Sequence, residues 1–228
     1  MMEMRGSLIA ALLSRIGSLI VGLLSLHPRC AFFRDTAKSQ VPITLGRWFA
    51  QRVLGINGGA YWPMHTSSTV SYAKRIRIGK ETSPGWSAGC YIHGINGIFI
   101  GDYTQISMNV GIQSANHDPY DLSEQLPAPP IVIGKYCLLG MGSLILPGVV
   151  LGDYTIVAAN AVVTKSFPQG FVVLAGVPAR VISELNPASV RHYVNNNPYC
   201  GYIPAAYFDE FCRTNLQLPP LPHLAAIS

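Results

Sequence analysis

Between residues 133 and 168 the chain divides into six-residue units: IGKYCL, LGMGSL, ILPGVV, LGDYTI, VAANAV and VTKSFP. Ile133, Leu139, Ile145, Leu151, Val157 and Val163 all fall in one phase. Leu, Ile and Val make up about a quarter of the chain, so six aliphatic hits in one chosen phase arise by chance roughly once in four thousand. An earlier block, IGDYTQ, ISMNVG and IQSANH, repeats the pattern with Ile100, Ile106 and Ile112. Six is not a helical period, nor is it plain strand alternation. It specifies one short strand and one turn per unit, with the chain returning over itself. If three units make one coil, Ile133 stacks on Leu151, Leu139 on Val157 and Ile145 on Val163. Four positions after the first five of these aliphatic residues stand Cys137, Ser143, Val149, Thr155 and Ala161, none larger than valine. One large and one small inward residue per strand fill the corner of a narrow triangular prism. Gly134, Gly140 and Gly152 stand where a side chain would crowd the turn.

The repeat is interrupted after IQSANH by DPYDLSEQLPAPP, and IVIGK then resumes it. A loop of this length ejected from a regular coil is a candidate functional element. His117 stands at its root. A neutral imidazole there can act as a general base, taking the proton of an acceptor hydroxyl that is a poor nucleophile near neutral pH. Asn116 and Asp118 are candidates to orient the ring or the acceptor. His65, His93, His192 and His223 read as structural or surface residues.

The LIV-G-x4 repeat, the interrupting SANHDPYD and the closing AGVPARVI at 175–182 together resemble the hexapeptide-repeat acyltransferases, close to the galactoside and streptogramin acetyltransferases. The resemblance covers about residues 62–183. It implies a mainly β fold, a left-handed parallel β-helix; periodicity alone does not fix the hand. It also implies His117 as general base without an acyl-enzyme, and acetyl-CoA as donor. The pantetheine would bond to main chain near Gly140 and Ala159, with Thr164, Lys165 and Arg180 near the nucleotide. The family assembles as trimers with sites between subunits. Leu138 and Met141 depart from the galactoside enzymes, which carry a tryptophan and a serine there, so the acceptor stays open.

Of the 228 residues only 12% are charged, which suits such coils and excludes disorder. Residues 1–80 hold 11 of the 16 Lys and Arg against Glu3 and Asp35, a charge of +9, and the remainder carries −4. No nucleic-acid motif accompanies the basic half. The five cysteines form no CxxC, so no metal site is expected from them. Residues 6–26 carry a single charge, Arg15, and place small residues from Ser7 to Ser25 on one helical stripe. They predict a membrane-associated helix, flanked by Arg5, Arg29, Arg34 and Lys38.

Four regions follow: 1–26, the hydrophobic helix; 27–61, a connecting helical region; 62–183, the coil with loop 117–130; and 184–228, an irregular C-terminal extension. Thr44 to Gly55 predicts a capped helix of about three turns. Tyr193, Tyr199, Tyr202, Tyr207, Phe208 and Phe211 mark the extension as a cap. The expected activity is O-acetylation of a sugar hydroxyl in envelope polysaccharide or lipid-linked glycan synthesis, at the cytoplasmic face of the bacterial inner membrane. Alternatives are modification of a small-molecule antibiotic, a non-catalytic scaffold, and a zinc carbonic-anhydrase-like enzyme. The last needs a histidine pair five apart, and Leu122 stands five after His117.

Overall fold

A computed structural model describes residues 17 and 19–221. Most of the expected hydrophobic helix, residues 1–16 and 18, lies outside the described residues. Residues 19–24 are helical, and Val21 and Leu24 pack with Trp48 against Phe32, Phe33 and Ile43. Among the described residues no helix is long and apolar enough to cross a membrane. Two short helices follow, α1 (Phe32–Asp35) and α2 (Leu45–Arg52). Thr44 caps α2 by accepting from the Arg47 N–H, as its sequence position predicts. The helix closes after eight residues, short of three turns. Its end unwinds about Gly55, which is in the left-handed region, with Leu54 N–H bonding to Phe49 O before it and Ile56 N–H to Ala50 O after it.

The coil is built on three sheets whose strands the chain visits in rotation. The first holds β1 (Thr69–Ser71), β3 (Tyr91–His93), β6 (Gly111–Gln113), β9 (Leu144–Ile145) and β12 (Val162–Val163). The second holds β2 (Ile76–Arg77), β4 (Ile98–Ile100), β7 (Ile131–Ile133) and β10 (Val150–Leu151). The third holds β5 (Gln105–Ile106), β8 (Leu138–Leu139), β11 (Ile156–Val157) and β13 (Val172–Ala175). Pairing is parallel throughout until β14 (Arg180–Glu184) adds antiparallel to β13.

The register is the one the six-residue period requires. Ile133 pairs with Leu151, Leu139 with Val157 and Ile145 with Val163. These six side chains are essentially inaccessible, as are Cys137, Ser143, Val149, Thr155 and Ala161 beside them. Each large aliphatic buried in this way contributes about 1.5–3 kcal/mol, so the stack is the main source of stability. A Cβ on Gly140 would lie 2.7 Å from both Ala159 N and Val157 O, so glycine there lets two coils meet backbone to backbone.

On the corner between the second and third sheets, Tyr103, Tyr136, Tyr154 and Phe171 form a stack. Successive ring centroids lie 5.1, 4.9 and 5.1 Å apart. The C-terminal extension straps this ladder: the Tyr136 hydroxyl donates to Tyr193 O, and the Tyr154 hydroxyl meets His192 Nδ1 at 2.6 Å. Asn197 Nδ2 donates to the buried Glu81 Oε1. Phe208 and Phe211 of α3 (Phe208–Asn215) then pack on Tyr61, and Leu218 covers Phe99, Val132 and Val150. Of the six aromatic residues expected to cap, only Tyr207 stays largely exposed without a ring partner.

Candidate active site

The chain leaves the first sheet at the end of β6 and rejoins the coil at β7 in the second sheet; the excursion between them carries the candidate catalytic residue. Its neck is pinned. Asn96 Nδ2 donates to Ser114 O at 2.9 Å and to Leu126 O at 3.1 Å, tying both arms to the preceding coil. The arms pair with each other through Leu126 N–H to Asn116 O at 2.8 Å and Asp118 N–H to Glu124 O at 3.0 Å. His117 and Gln125 therefore oppose one another in an antiparallel bridge. His117 is thus an exposed side chain on a hydrogen-bonded neck, which fixes its backbone and leaves its ring open to a substrate.

Asp118 Oδ1 accepts the Tyr120 N–H at 2.8 Å, a bond that builds the loop tip. Asn116 holds the neck through its main chain and presents an exposed side chain. At the tip Tyr120 is fully exposed and Leu122 nearly three-quarters so.

His93 is a residue that sequence reasoning placed elsewhere. It ends β3, and its carbonyl accepts the Ser114 N–H at 2.9 Å, directly beneath the loop. Its ring lies parallel to Tyr91 and edge-on to Tyr72, and its Nδ1 is buried without a hydrogen-bond partner among the described residues. Burial, and then the nearby charge of His117, lower its pKa from the ordinary histidine value. A neutral imidazole with a free buried nitrogen beside an exposed imidazole is a site suited to a hydroxyl. The available signal was its position, on the strand that pairs with the residues just before the loop.

The other candidates fall into two groups. Gly140 and Ala159 meet on the corner between the third and first sheets, where Gly140 N–H bonds to Val157 O. Thr164 and Lys165 follow β12 and are exposed; the turn at 176–179 lies against the opposite, starting end of β12, since Ala179 N–H bonds to Val162 O and Val162 N–H to Gly176 O. Arg180 is exposed at that turn, its guanidinium donating to Ala179 O. The first sheet separates Thr164 and Lys165 from Gly140 and Ala159, and Arg180, paired with Ala175 at the end of β13, lies on the Ala159 side. His117 emerges on the Thr164 side, two strands earlier in that sheet.

The thiols offer no competing nucleophile in the coil. Burial pushes Cys137 and Cys200 up to about 12 and also raises Cys90 and Cys212. Among the described residues no group of three or more His, Cys, Asp or Glu forms a candidate metal site.

A three-sheeted parallel coil that ejects one histidine-bearing loop defines the class of hexapeptide-repeat acyltransferases. The profile "Bacterial transferase hexapeptide (six repeats)" matches residues 130–165. An Escherichia coli K12 protein described as a colanic acid biosynthesis acetyltransferase is 34% identical over 145 residues, covering 63% of this chain and 78% of that one. The E. coli K12 galactoside O-acetyltransferase is 35% identical over 99 residues, covering 42% and 48%. Among solved structures, a maltose O-acetyltransferase from Clostridium difficile 630 shares the fold with a TM-score of 0.51. It is 23% identical, with 71% of this chain and 91% of that one covered. A galactoside acetyltransferase in complex with coenzyme A gives 0.50 at 24% identity, covering 72% and 86%. The chain belongs to the hexapeptide-repeat acetyltransferase family and, as a member, is an acyl-CoA-dependent O-acetyltransferase.

Proposed function

We propose that the chain transfers acetyl from acetyl-CoA to a sugar hydroxyl in envelope polysaccharide or lipid-linked glycan synthesis, with His117 as general base. The carrying observation is the placement of His117, exposed on a pinned neck above the strand that ends in the buried His93. In the proposed step the imidazole takes the acceptor's proton as its oxygen attacks the thioester carbonyl. The tetrahedral intermediate then collapses with loss of the CoA thiolate, which takes up the proton from His117. No covalent acyl-enzyme forms. Asn116 has an exposed side chain free to meet the acceptor, while Asp118 supports the loop through Tyr120. The colanic acid and galactoside relatives support a sugar acceptor.

Gly140 and Ala159 are proposed to flank the pantetheine, and Thr164, Lys165 and Arg180 the phosphates, where cationic donors suit the charge. Thr164 and Lys165 lie across the first sheet from Gly140, Ala159 and Arg180. A site shared between subunits of a trimer, with left-handed coils spanning 62–183, uses both edges. The exposed Tyr120 and Leu122 suit burial against a neighbour in such an assembly. The N-terminal segment 1–26 is proposed to contact the cytoplasmic face of the bacterial inner membrane. Leu19, Leu23 and Leu26 are each about 70% exposed or more, beside a basic flank. The decisive experiment is release of CoA thiol from acetyl-CoA with galactoside, glucoside and polysaccharide acceptors. Full activity after His117→Ala sinks the mechanism.

A further inference from the structure

The bridge at the loop neck has a particular pairing. The bonds Leu126 N–H to Asn116 O and Asp118 N–H to Glu124 O flank His117 and Gln125 rather than join them, so the two form a non-hydrogen-bonded antiparallel pair. In such pairs the Cα atoms lie about 4.5 Å apart and both side chains leave the same face, closer than at any other position of a ladder. Gln125 Oε1 is buried and has no hydrogen-bond partner among the described residues. A buried amide oxygen left unpaired costs about 1–3 kcal/mol, so it is a waiting acceptor. The nearest donor the pairing supplies is the imidazole N–H of His117.

We infer that Gln125 is a positioning residue for His117: its Oε1 accepts the Nδ1–H, fixing the tautomer whose Nε2 lone pair faces the acceptor hydroxyl. The inference rests on the reading of His117 as base. A base must present an unprotonated nitrogen to the proton it takes, and the partner of the other nitrogen decides which one that is. The remaining groups about the ring do not serve this purpose. His93, from β3, is neutral and has its own unpartnered Nδ1. The Asp118 carboxylate binds Tyr120 N–H, and Glu124 follows the turn and is exposed. The bond closes when CoA and the acceptor limit the ring's rotation, as active-site contacts commonly tighten in the bound state.

The test is nitrogen-15 NMR of the full chain with coenzyme A bound, the His117 signals being identified by their loss in His117→Gln. The expected result is a neutral ring protonated on Nδ1, the form a free imidazole disfavours. Gln125→Glu keeps an acceptor oxygen and preserves that form, whereas Gln125→Leu reverts to Nε2–H. In the CoA-release assay, Gln125→Leu lowers kcat by about 10- to 100-fold at unchanged KM for acetyl-CoA, and Gln125→Glu restores most of it. The carboxylate also moves the acid limb of the rate profile to higher pH, a change that a purely structural residue does not produce. An Nε2–H ring in the wild type, or the same tautomer in wild type and Gln125→Leu, overturns the inference. His117→Ala run in parallel separates the two readings. Its full activity defeats the base, and its loss with unaltered Gln125 variants defeats only the positioning role.

Discussion

Gly152→Ala probes the coil at a close approach of two backbones. Gly152 N–H bonds to Phe167 O at 3.0 Å, and a Cβ at this position would lie 2.5 Å from Gly170 N and closer still to the carbonyl oxygen of Pro168. Ordinary contact for a carbon is about 3.5 Å, so the methyl overlaps main chain by about 1 Å. Neither neighbour is a side chain that can rotate away, and the next coil must shift. Overpacking of this kind costs about 1–3 kcal/mol. Gly152 does not occupy the left-handed region, so alanine also lowers the entropy of the unfolded chain, which offsets about 0.4–1 kcal/mol. The net destabilisation is about 1–2 kcal/mol, or a Tm lower by about 2–8 °C for a chain of this size. Thermal unfolding by circular dichroism at fixed protein concentration measures it. Gly59→Ala is the control: nothing lies within 4 Å of its Cβ, and its Tm stays level or rises. A Gly152→Ala protein as stable as wild type would refute the packing argument.

Other perturbations address separate parts of the account. His93 has a lowered pKa, so between that value and the unfolded value of about 6.5 the unfolded chain binds more protons, and stability falls as pH drops through this window. His93→Phe keeps the ring contacts with Tyr72 and Tyr91 and flattens urea midpoints between pH 8 and 5; an unchanged slope contradicts the assignment. Asp153 Oδ1 accepts the Lys135 N–H at 2.7 Å, so Asp153→Ala costs about 0.5–1.5 kcal/mol while Asp153→Asn, which retains the oxygen, costs less in the same urea titration. Replacing Leu19 and Leu23 together by glutamate lowers co-sedimentation with phosphatidylglycerol vesicles several-fold if the basic segment meets lipid; equal binding excludes these side chains from the contact.

The later coils were legible in the sequence because their corners are uniform. Between Ile133 and Val163 every side of the prism takes six residues, and all three predicted stacks occur. The first coils obey the same packing with irregular corners. Val70 pairs with Ile92 and Ile76 with Ile98, 22 residues apart, so no fixed phase reveals them. At the candidate site, His117 was singled out because it stands where the repeat breaks. His93 and Gln125 carried no pattern: one acquires its role from Tyr72, Tyr91 and the loop above it, the other from a bridge that exists only once the two arms of the loop are pinned by Asn96. The C-terminal aromatic residues announced a cap, but the row of rings it straps was hidden, since Tyr103, Tyr136, Tyr154 and Phe171 are spaced unevenly along the chain and align only when coiled.

The most direct test of the account is the pH dependence of kcat/KM for acetyl-CoA-dependent O-acetylation, measured for wild type and His117→Ala with the sugar acceptor that gives the fastest CoA release. The account predicts a loss of about 100-fold or more, the disappearance of the acid limb, and unchanged binding of coenzyme A by calorimetry. A His117→Ala enzyme that retains the wild-type rate and profile contradicts it.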